Sequence, residues 1–238
     1  SAPTLGPKPR DPGSTSREAV LFDMDGVLVN GERARFEAYN GAAVELGLPR
    51  VTWQDFEQKY NLSVRELYHA LQPATPYAVL AKAVVKRMAA AASAFWVNVD
   101  ARPLLEQLRA QGFRLALVTN NYSPVVHEVL GRAGLLDFFE VAVCVDHVAR
   151  PKPAPDVVTR ALEELGVEAG RAVMLGDSPK DADAARAAGV YLLGLGVDGH
   201  ERLEGLRDAA AWFQARFEPG SLRRHPEDQP LRDVTGRP

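Results

Sequence analysis

The strongest constraint on the fold is a series of short apolar runs spaced along the chain. Within each run the apolar residues are consecutive, which is typical of parallel strands covered on both faces. The five runs are Ala19–Phe22, Leu115–Val118, Val141–Val145, Ala172–Leu175 and Val190–Leu195. Helical patterns before and between the last four runs cover Pro103–Gln111, Pro124–Ala133, Asp156–Leu165 and Lys180–Ala188. This alternation predicts an α/β fold with a doubly wound parallel sheet.

The first two runs are separated by about 90 residues, which is too long for one crossover connection. This interval contains only helical patterns: Glu32–Leu46, Trp53–Tyr60, Val64–Leu71 and Tyr77–Phe95. We therefore predict an all-α cap over residues 32–96, inserted into an α/β core formed by residues 18–31 and 97–218. An insert at this point lies above the carboxyl edge of the sheet, where such folds bind ligands.

The two ends of the chain differ from the rest. Residues 1–17 are rich in Pro and Gly, and residues 219–238 are polar without periodicity, so we expect flexible tails. Just before the second tail, Glu201–Arg216 is predicted as a terminal amphipathic helix that covers the sheet.

Charge and composition exclude several classes of protein. A formal net charge of −3 over 238 residues gives no polycationic surface, so we expect no nucleic-acid partner. No apolar run approaches the roughly 18 residues of a membrane span, and none resembles a secretory signal. The single cysteine, Cys144, excludes a multi-cysteine zinc site and is predicted to be an inert core thiol. We expect a cytoplasmic protein, either a monomer or a weak homodimer.

Polar segments follow four of the predicted strands, at the point where each strand ends. They are Asp23-Met24-Asp25-Gly26, Thr119-Asn120-Asn121, Arg150-Pro151-Lys152-Pro153 and Gly176-Asp177-Ser178-Pro179-Lys180-Asp181. Because the carboxyl ends of parallel strands share one edge of the sheet, these segments are expected to converge on one crevice.

The residue types in this crevice indicate phosphoryl transfer. Up to four carboxylates would lie within a few ångströms, and each like-charge pair at ~4 Å costs about 4 kcal/mol at an effective dielectric near 20. Such a cluster needs a cation, and ligands that are all oxygen favour Mg²⁺. Lys152 and the Thr119 hydroxyl are suited to an anion, so the set fits Mg²⁺ and a phosphoryl group.

The spacing Asp-x-Asp suggests two roles for the first pair of carboxylates. Alternate side chains of an extended segment point the same way, so Asp23 and Asp25 can both face a substrate. An ionised carboxylate can attack phosphorus to give an aspartyl-phosphate. A protonated one can donate to the leaving oxygen and afterwards activate water.

With these residues in place, the chain resembles the haloacid dehalogenase superfamily of phosphohydrolases over about residues 18–200. Its four motifs occur in order as FDMDGVLV, LVTNN, RPKPAPD and GDSPKDADAARAAG. The resemblance implies that Asp23 is the nucleophile and Asp25 the general acid and base. It implies that Thr119, the Asn120 backbone and Lys152 bind phosphate, and we add Gly26 to this set.

For the metal, the resemblance implies Mg²⁺ held by Asp23, the Asp25 backbone carbonyl and Asp177, with Asp181 assisting, partly through water. It also implies a Rossmann-like core with a helical cap, as in the subgroup that contains phosphoglycolate phosphatases and β-phosphoglucomutase. The expected function is Mg²⁺-dependent hydrolysis of a small phosphomonoester. Because Asp25 is present, a phosphoester is favoured over a carbon–halogen bond as substrate.

One departure from the family pattern concerns the first cap helix. Arg35 stands near the position where a His is expected, and a sugar-phosphate mutase depends on that His. We therefore place the mutase second to the phosphatase and treat Arg35 as a candidate substrate-binding residue. Weaker candidates for substrate selection in the cap are Asn61, Ser63, Arg65 and His69.

Other interpretations remain open at this point. The chain could be a non-catalytic binding protein that retains the fold. The segment from Asp23 to Gly26 could be a turn, Asp177 a helix cap and Lys152 an ordinary loop lysine. His147 lacks partners at ligand spacing and is expected to be structural or solvated.

Overall fold

The computed structural model describes residues 18–57, 68–69 and 75–217. Its strands are β1 (Ala19–Phe22), β2 (Val29–Asn30), β3 (Trp96–Val97), β4 (Arg114–Val118), β5 (Val141–Val143), β6 (Ala172–Gly176), β7 (Tyr191–Leu195) and β8 (Glu201–Leu203). Its helices are α1 (Glu32–Glu45), α2 (Trp53–Glu57), α3 (Tyr77–Ala90), α4 (Ala101–Ala110), α5 (Ser123–Arg132), α6 (Asp156–Leu165), α7 (Pro179–Ala188) and α8 (Leu206–Arg216). Both predicted tails and most of the predicted helix Val64–Leu71 lie outside the described residues, as do Asn61, Ser63 and Arg65.

Six strands form one parallel sheet in the order β5-β4-β1-β6-β7-β8. The strand β1 lies inside this sheet, and its last residue, Phe22, pairs with Leu117 of β4 and Leu175 of β6. The three strands therefore end at nearly the same level, and their following loops share one edge. The predicted doubly wound α/β fold is confirmed.

The central strands of the sheet are buried on both faces because helices pack against each face. In β1, Val20 and Phe22 belong to one apolar cluster, whereas Ala19 and Leu21 belong to the other. This alternation follows from the two-residue period of a strand. Helices α6 and α7 pack on the Leu21 face. Helices α4, α5 and α8 pack on the Phe22 face.

The predicted terminal helix Glu201–Arg216 is wrong in its first turn. The helix begins at Leu206, and Glu201–Leu203 instead form β8, which pairs in parallel with β7. The chain returns to the sheet through Gly196, which has a φ of 71° and whose N–H donates to the carbonyl oxygen of Leu203. The open edge of β7 offers backbone hydrogen bonds, and these outweigh the helical pattern of the sequence.

The inserted all-α cap is confirmed: the described residues between β2 and β3 form the helices α1, α2 and α3. The strands β2 and β3 pair antiparallel, so the chain leaves and re-enters the α/β core through one two-stranded ribbon. Helix α3 packs against α1 in the cap and against α5 in the core. The domain boundaries at residues 31/32 and 96/97 fall at this ribbon and stay a prediction. Helix α3 ends at Ala90, five residues before the predicted end, and a short 3₁₀ turn follows.

None of the helices within the described ranges is both long and apolar enough to cross a membrane.

Candidate active site at the carboxyl edge of the sheet

The first residues after the strands are held in place by continued sheet hydrogen bonding. The N–H of Asp23 donates to the Leu175 carbonyl oxygen at 3.0 Å, and the N–H of Thr119 donates to the Val143 carbonyl oxygen at 3.0 Å. Both side chains are buried at the carboxyl edge of the sheet. The expected convergence of the loops after β1, β4, β5 and β6 is observed in their side-chain contacts.

Lys152 is the centre of these contacts, although it lies in the loop between β5 and α6. Its Nζ donates to Asp181 Oδ1 at 2.6 Å, Asp23 Oδ1 at 2.8 Å and the Val118 carbonyl oxygen at 3.0 Å. These three bonds use all the donors of an ammonium group. Burial by itself would lower the pKa of Lys152, but Asp181 and Asp23 raise it above its ordinary value. The lysine is therefore charged and is not an ordinary exposed loop residue.

If all were ionised, the carboxyl groups of Asp23, Asp177 and Asp181 would carry three negative charges against the single positive charge of Lys152. Burial raises the pKa of Asp23 well above its ordinary value, and Asp181 and Asp177 raise it further against the opposing effect of Lys152. Burial and the charge of Asp181 likewise raise the pKa of Asp177 to about 7. Both carboxyl groups thus resist ionisation without a further cation beside them.

Three of these groups are placed to share such a cation. Carboxylate oxygens of Asp23, Asp177 and Asp181 all lie within 4.8 Å of one another. The donor set is entirely oxygen, which suits a hard divalent ion. The loop after Asp25 approaches closely as well, because a Cβ on Gly26 would meet Asp177 Oδ2 at 1.7 Å. The residues present therefore fit a divalent metal.

Asp181 differs from the other two carboxylates because both of its oxygens already accept hydrogen bonds. Oδ1 accepts from Lys152, and Oδ2 accepts from the Ser178 hydroxyl at 2.6 Å and the Ser178 N–H at 3.1 Å. Ser178 and Asp181 form a capping box at the start of α7, which explains why Asp181 is fully buried yet satisfied. Ser178 was not among the predicted site residues, although its place two residues before a helical pattern is a capping signal.

The loops after β4 and β5 are joined by the Asn120 side chain. Its Nδ2 donates to the Lys152 carbonyl oxygen at 3.0 Å, and its Oδ1 accepts from the Lys152 N–H at 2.9 Å. Beside it, the Thr119 hydroxyl accepts from the Asn121 N–H at 3.1 Å. Thr119 and Lys152 are thus fixed relative to each other.

Asp25 has a separate set of partners on the other side of the crevice. Its Oδ2 accepts from Arg35 of the cap at 2.6 Å and from Asn121 Nδ2 at 2.6 Å. Asn121 is buried and was not among the predicted site residues. Asn121 belongs to a polar segment that the sequence predicts to converge with the segment of Asp25, but no pattern indicates a direct contact between residues 96 positions apart.

Gly26 has a φ of 72°, and its N–H donates to the Val29 carbonyl oxygen at 2.8 Å. Its absent side chain leaves space beside Asp177, so the structure supports Gly26 as a residue of close approach. The predicted phosphate contact of Gly26 stays a prediction.

Outside this crevice, the expectation that His147 lacks neighbours at ligand spacing is wrong. Ligand atoms of Cys144, Asp146 and His147 lie within 4.8 Å of one another. They are nevertheless engaged in local structure: His147 Nδ1 accepts from the Cys144 N–H, and Asp146 accepts from both the hydroxyl and the N–H of Ser123. Burial raises the pKa of Cys144 to about 12, which agrees with an inert thiol. His69 is exposed and contacts Tyr68 edge-on.

Comparisons with known proteins agree with this geometry. The family model described as haloacid dehalogenase-like hydrolase matches residues 20–195. A plasmid-encoded phosphoglycolate phosphatase of Cupriavidus necator is 36% identical over 181 residues, covering 72% of this chain and 78% of the relative. A phosphorylated carbohydrates phosphatase of Thermotoga maritima is 32% identical over 179 residues, covering 73% of this chain and 82% of the relative.

Among solved structures, CbbY from Rhodobacter sphaeroides in complex with phosphate superposes with a TM-score of 0.69. It is 27% identical, and the match covers 74% of this chain and 85% of that chain.

The fold and the cluster of carboxylates around a buried lysine are those of a hydrolase with an α/β core, whose carboxylates could hold a divalent metal. The chain belongs to the haloacid dehalogenase-like hydrolase family. The predicted enzyme class, a phosphatase of this family, is confirmed by the phosphatase relatives.

Proposed function

We propose that the protein is a Mg²⁺-dependent phosphatase that hydrolyses a small phosphomonoester through an aspartyl-phosphate on Asp23. The observation that carries this proposal is the position of the Asp23 carboxylate. It lies 2.8 Å from the Lys152 ammonium, and its ligand atom is within 4.8 Å of those of the Asp177 and Asp181 carboxylates. A carboxylate nucleophile, a fixed cation and a metal-binding group are the parts that this chemistry needs.

The proposed first step transfers the phosphoryl group to the enzyme. A carboxylate oxygen of Asp23 forms a bond to phosphorus while the ester P–O bond breaks, and Asp25 gives its proton to the departing oxygen. In the second step a water molecule attacks phosphorus and gives its proton to Asp25, and the bond from phosphorus to Asp23 breaks. Atoms and charges balance as ester plus water giving alcohol plus inorganic phosphate.

The residues around the nucleophile support this sequence of steps. Lys152 holds Asp23 and would neutralise the equatorial oxygens of the phosphoryl group together with Thr119 and the Asn120 backbone. When bound, Mg²⁺ would supply charge neutralisation for the nucleophile and the phosphoryl group, held by Asp23, Asp177 and the Asp25 carbonyl oxygen. Asp181 would assist metal binding, chiefly by holding the Lys152 ammonium in position.

The cap supports a small substrate. Arg35 of the cap donates to Asp25 across the crevice, so the cap contacts the proposed acid and base directly. The named relatives act on phosphoglycolate and on phosphorylated carbohydrates, and we propose a substrate of the same kind. Its anionic or hydroxyl-bearing leaving group would meet Arg35 once the ester is bound. The predicted cytoplasmic location and monomeric or weakly dimeric state belong to this proposal.

The test is a panel of phosphoglycolate, sugar phosphates, nucleotides and 4-nitrophenyl phosphate, assayed with Mg²⁺ and with a chelator. We expect turnover that the chelator abolishes, and we expect Asp23→Asn to lower kcat at least about 1000-fold. The matched control is Asp183→Asn on α7, where the replaced carboxylate is exposed and contacts Arg186. Turnover retained by Asp23→Asn would refute the nucleophile.

The same assay distinguishes the phosphatase from a mutase and from a non-catalytic binding protein. A mutase would convert a sugar phosphate without releasing inorganic phosphate, whereas a phosphatase releases phosphate and alcohol in equal amounts. A non-catalytic binding protein would bind Mg²⁺ and show no turnover on the whole panel. Arg35, near the position where the mutase His is expected, favours the phosphatase.

A further inference from the structure

One carboxylate oxygen of Asp25 is held by two donors that come from different parts of the molecule. Arg35 is on α1 in the cap, and Asn121 follows β4 in the core. Both donate to Oδ2 at 2.6 Å. Such short contacts to one oxygen fix the rotation of the whole carboxylate plane.

The second oxygen of Asp25 is in the opposite situation. Oδ1 is buried and has no hydrogen-bond partner among the residues that the structure describes. A buried polar atom without a partner is uncommon in native proteins and calls for a specific explanation. Here the explanation follows from the position of Asp25 at the carboxyl edge, where the loops of the active site meet.

Asn121 is itself rigidly held, which makes it suitable as an anchor. Its carbonyl oxygen accepts from the Val145 N–H at 3.0 Å, and its own N–H donates to the Thr119 hydroxyl at 3.1 Å. The side-chain amide also lies 3.4 Å from the Thr119 hydroxyl. The anchor of Asp25 is therefore part of the same loop that is proposed to bind phosphate.

We propose that Asn121 and Arg35 are positioning residues that clamp Oδ2 of Asp25, so that Oδ1 is the oxygen that exchanges a proton with the substrate and with water. Asn121 supplies the permanent half of the clamp from the core. Arg35 supplies the other half only while the cap lies against the sheet, so closure of the cap completes the orientation of Asp25. This inference rests on the proposed phosphatase function and adds two residues to it.

If Asn121 and Arg35 position Asp25, the loss of activity when either is removed should depend on the leaving group of the substrate. An alkoxide leaves from phosphorus only with a proton, whereas 4-nitrophenolate leaves without one. Misplacing Asp25 should therefore slow aspartyl-phosphate formation from an alkyl phosphate and spare the reaction of the aryl ester. The later attack of water uses Asp25 for both substrates. Since kcat/KM reports only the steps through departure of the leaving group, the two stages can be measured separately.

The experiment compares Asn121→Ala with the parent protein on 2-phosphoglycolate and 4-nitrophenyl phosphate. We expect kcat/KM for the alkyl ester to fall about 30- to 100-fold and that for the aryl ester to fall less than about 3-fold. With the aryl ester, kcat should fall and a burst of 4-nitrophenolate should appear. Equal losses of kcat/KM on both esters would overturn the proposal.

A second variant pair keeps the test decisive if Asn121→Ala does not fold. For this pair the alkyl ester is propyl phosphate, whose leaving group offers Arg35 no charge or hydroxyl to bind. With it, Arg35→Ala should show the same leaving-group pattern with a smaller loss of about 5- to 20-fold, and Arg35→Lys should recover part of it. The matched control is Arg33→Ala on the same helix, where the exposed guanidinium contacts Glu37. We expect Arg33→Ala to change neither ester more than about 2-fold. If Arg35→Ala changes kcat/KM for the two esters no more than Arg33→Ala does, the proposed positioning role of Arg35 is wrong.

Failure of this inference can be told apart from failure of the proposed function. If Asp23→Asn stays active, the aspartyl-phosphate itself is wrong. If Asp23→Asn is inactive and Asn121→Ala slows both esters equally, only the clamp is wrong. In an Asp25→Asn background, Asn121→Ala should have no further leaving-group effect, because the group that it positions is already absent.

Discussion

The core and the cap hold their polar side chains in different ways. At the carboxyl edge of the core, Lys152, Asp23 and Asp181 are buried, and each contacts another member of the set. Between the cap and the core, the described residues make polar contacts whose two partners lie on different domains. These include Arg35 with Asp25, and Tyr77 with the Tyr122 hydroxyl at 2.5 Å. A buried charge network is rigid because the loss of one member leaves the other charges unpaired, whereas a contact between two domains can break when the cap moves.

Apolar packing does not show the same contrast. Cap residues such as Leu80 and Val84 belong to the same buried cluster as Val125 and Val129 of α5 in the core. The cap is therefore docked on the core through apolar surface as well as through the polar pairs. Movement of the cap has to preserve much of this apolar contact, and we expect it to pivot at the ribbon of β2 and β3.

Of the substitutions that test this difference between core and cap, we expect Lys152→Ala to have the largest effect. Replacing Lys152 by Ala leaves Asp23 and Asp181 buried without their counter-ion, which should cost about 3–5 kcal/mol of unfolding free energy. Activity should fall at least about 100-fold even where the protein is folded. Urea unfolding and the phosphatase assay measure the two effects. Lys82→Ala on α3, which removes an exposed lysine of the cap, serves as the control. Equal effects of the two variants would contradict a rigid core network.

The next effect concerns pH and metal together. The Asp177 pKa of about 7 exceeds its ordinary value of 3.8, so the folded state retains a proton that the unfolded state has lost. Without metal, stability should therefore fall as the pH rises from about 4 to about 7, and the raised pKa of Asp23 acts in the same direction. We expect Tm to fall by about 5 °C between pH 5 and pH 8.

If Mg²⁺ binds the ionised carboxylates as proposed, it should reverse this loss. Thermal scans at both pH values should show a larger Mg²⁺-induced rise in Tm at pH 8 than at pH 5. Asp177→Asn should flatten the metal-free pH profile and reduce the rise with Mg²⁺. A metal-free protein that becomes more stable between pH 5 and pH 8 would refute the sign of these shifts.

A smaller effect is expected for the contact between Tyr77 of the cap and Tyr122, which follows Asn121 in the loop after β4. Tyr77→Phe removes one hydroxyl of the contact with Tyr122 and should cost about 0.5–1.5 kcal/mol. Because the aromatic ring remains, we expect a modest rise in KM and little change in kcat. If Tyr77→Phe lowered kcat as strongly as Lys152→Ala, the contacts between cap and core would matter to catalysis as much as those around Lys152, contrary to this expectation.

The smallest effect is expected at Cys144, which is buried in the core next to β5. Since burial raises the pKa of Cys144 to about 12, iodoacetamide at pH 8 should leave the thiol of the folded protein unmodified and activity unchanged. Mass spectrometry before and after denaturation measures the modification. Rapid labelling of the folded protein would mean that this part of the core opens readily.

Much of the site is predictable from the sequence because it follows strand ends. The apolar runs specify β1, β4, β5 and β6, and the sheet then carries the residues after them to one edge. For this reason the order of runs and polar segments is enough to select Asp23, Thr119, Lys152 and Asp177. Ser178, Asn121 and β8 escape such a prediction, because each depends on a partner that local periodicity does not reveal.

Apolar periodicity and chain order were sufficient for the parallel α/β layer, the position of the helical cap and the residue types gathered at the carboxyl edge. The contacts that each of these residues makes were settled by the folded arrangement alone. It pairs Lys152 with Asp23 and Asp181, and it brings Arg35 and Asn121 to the same oxygen of Asp25. Hydrogen bonds depend on side-chain direction at about 3 Å, and that direction is set by the packing of elements far apart in the chain.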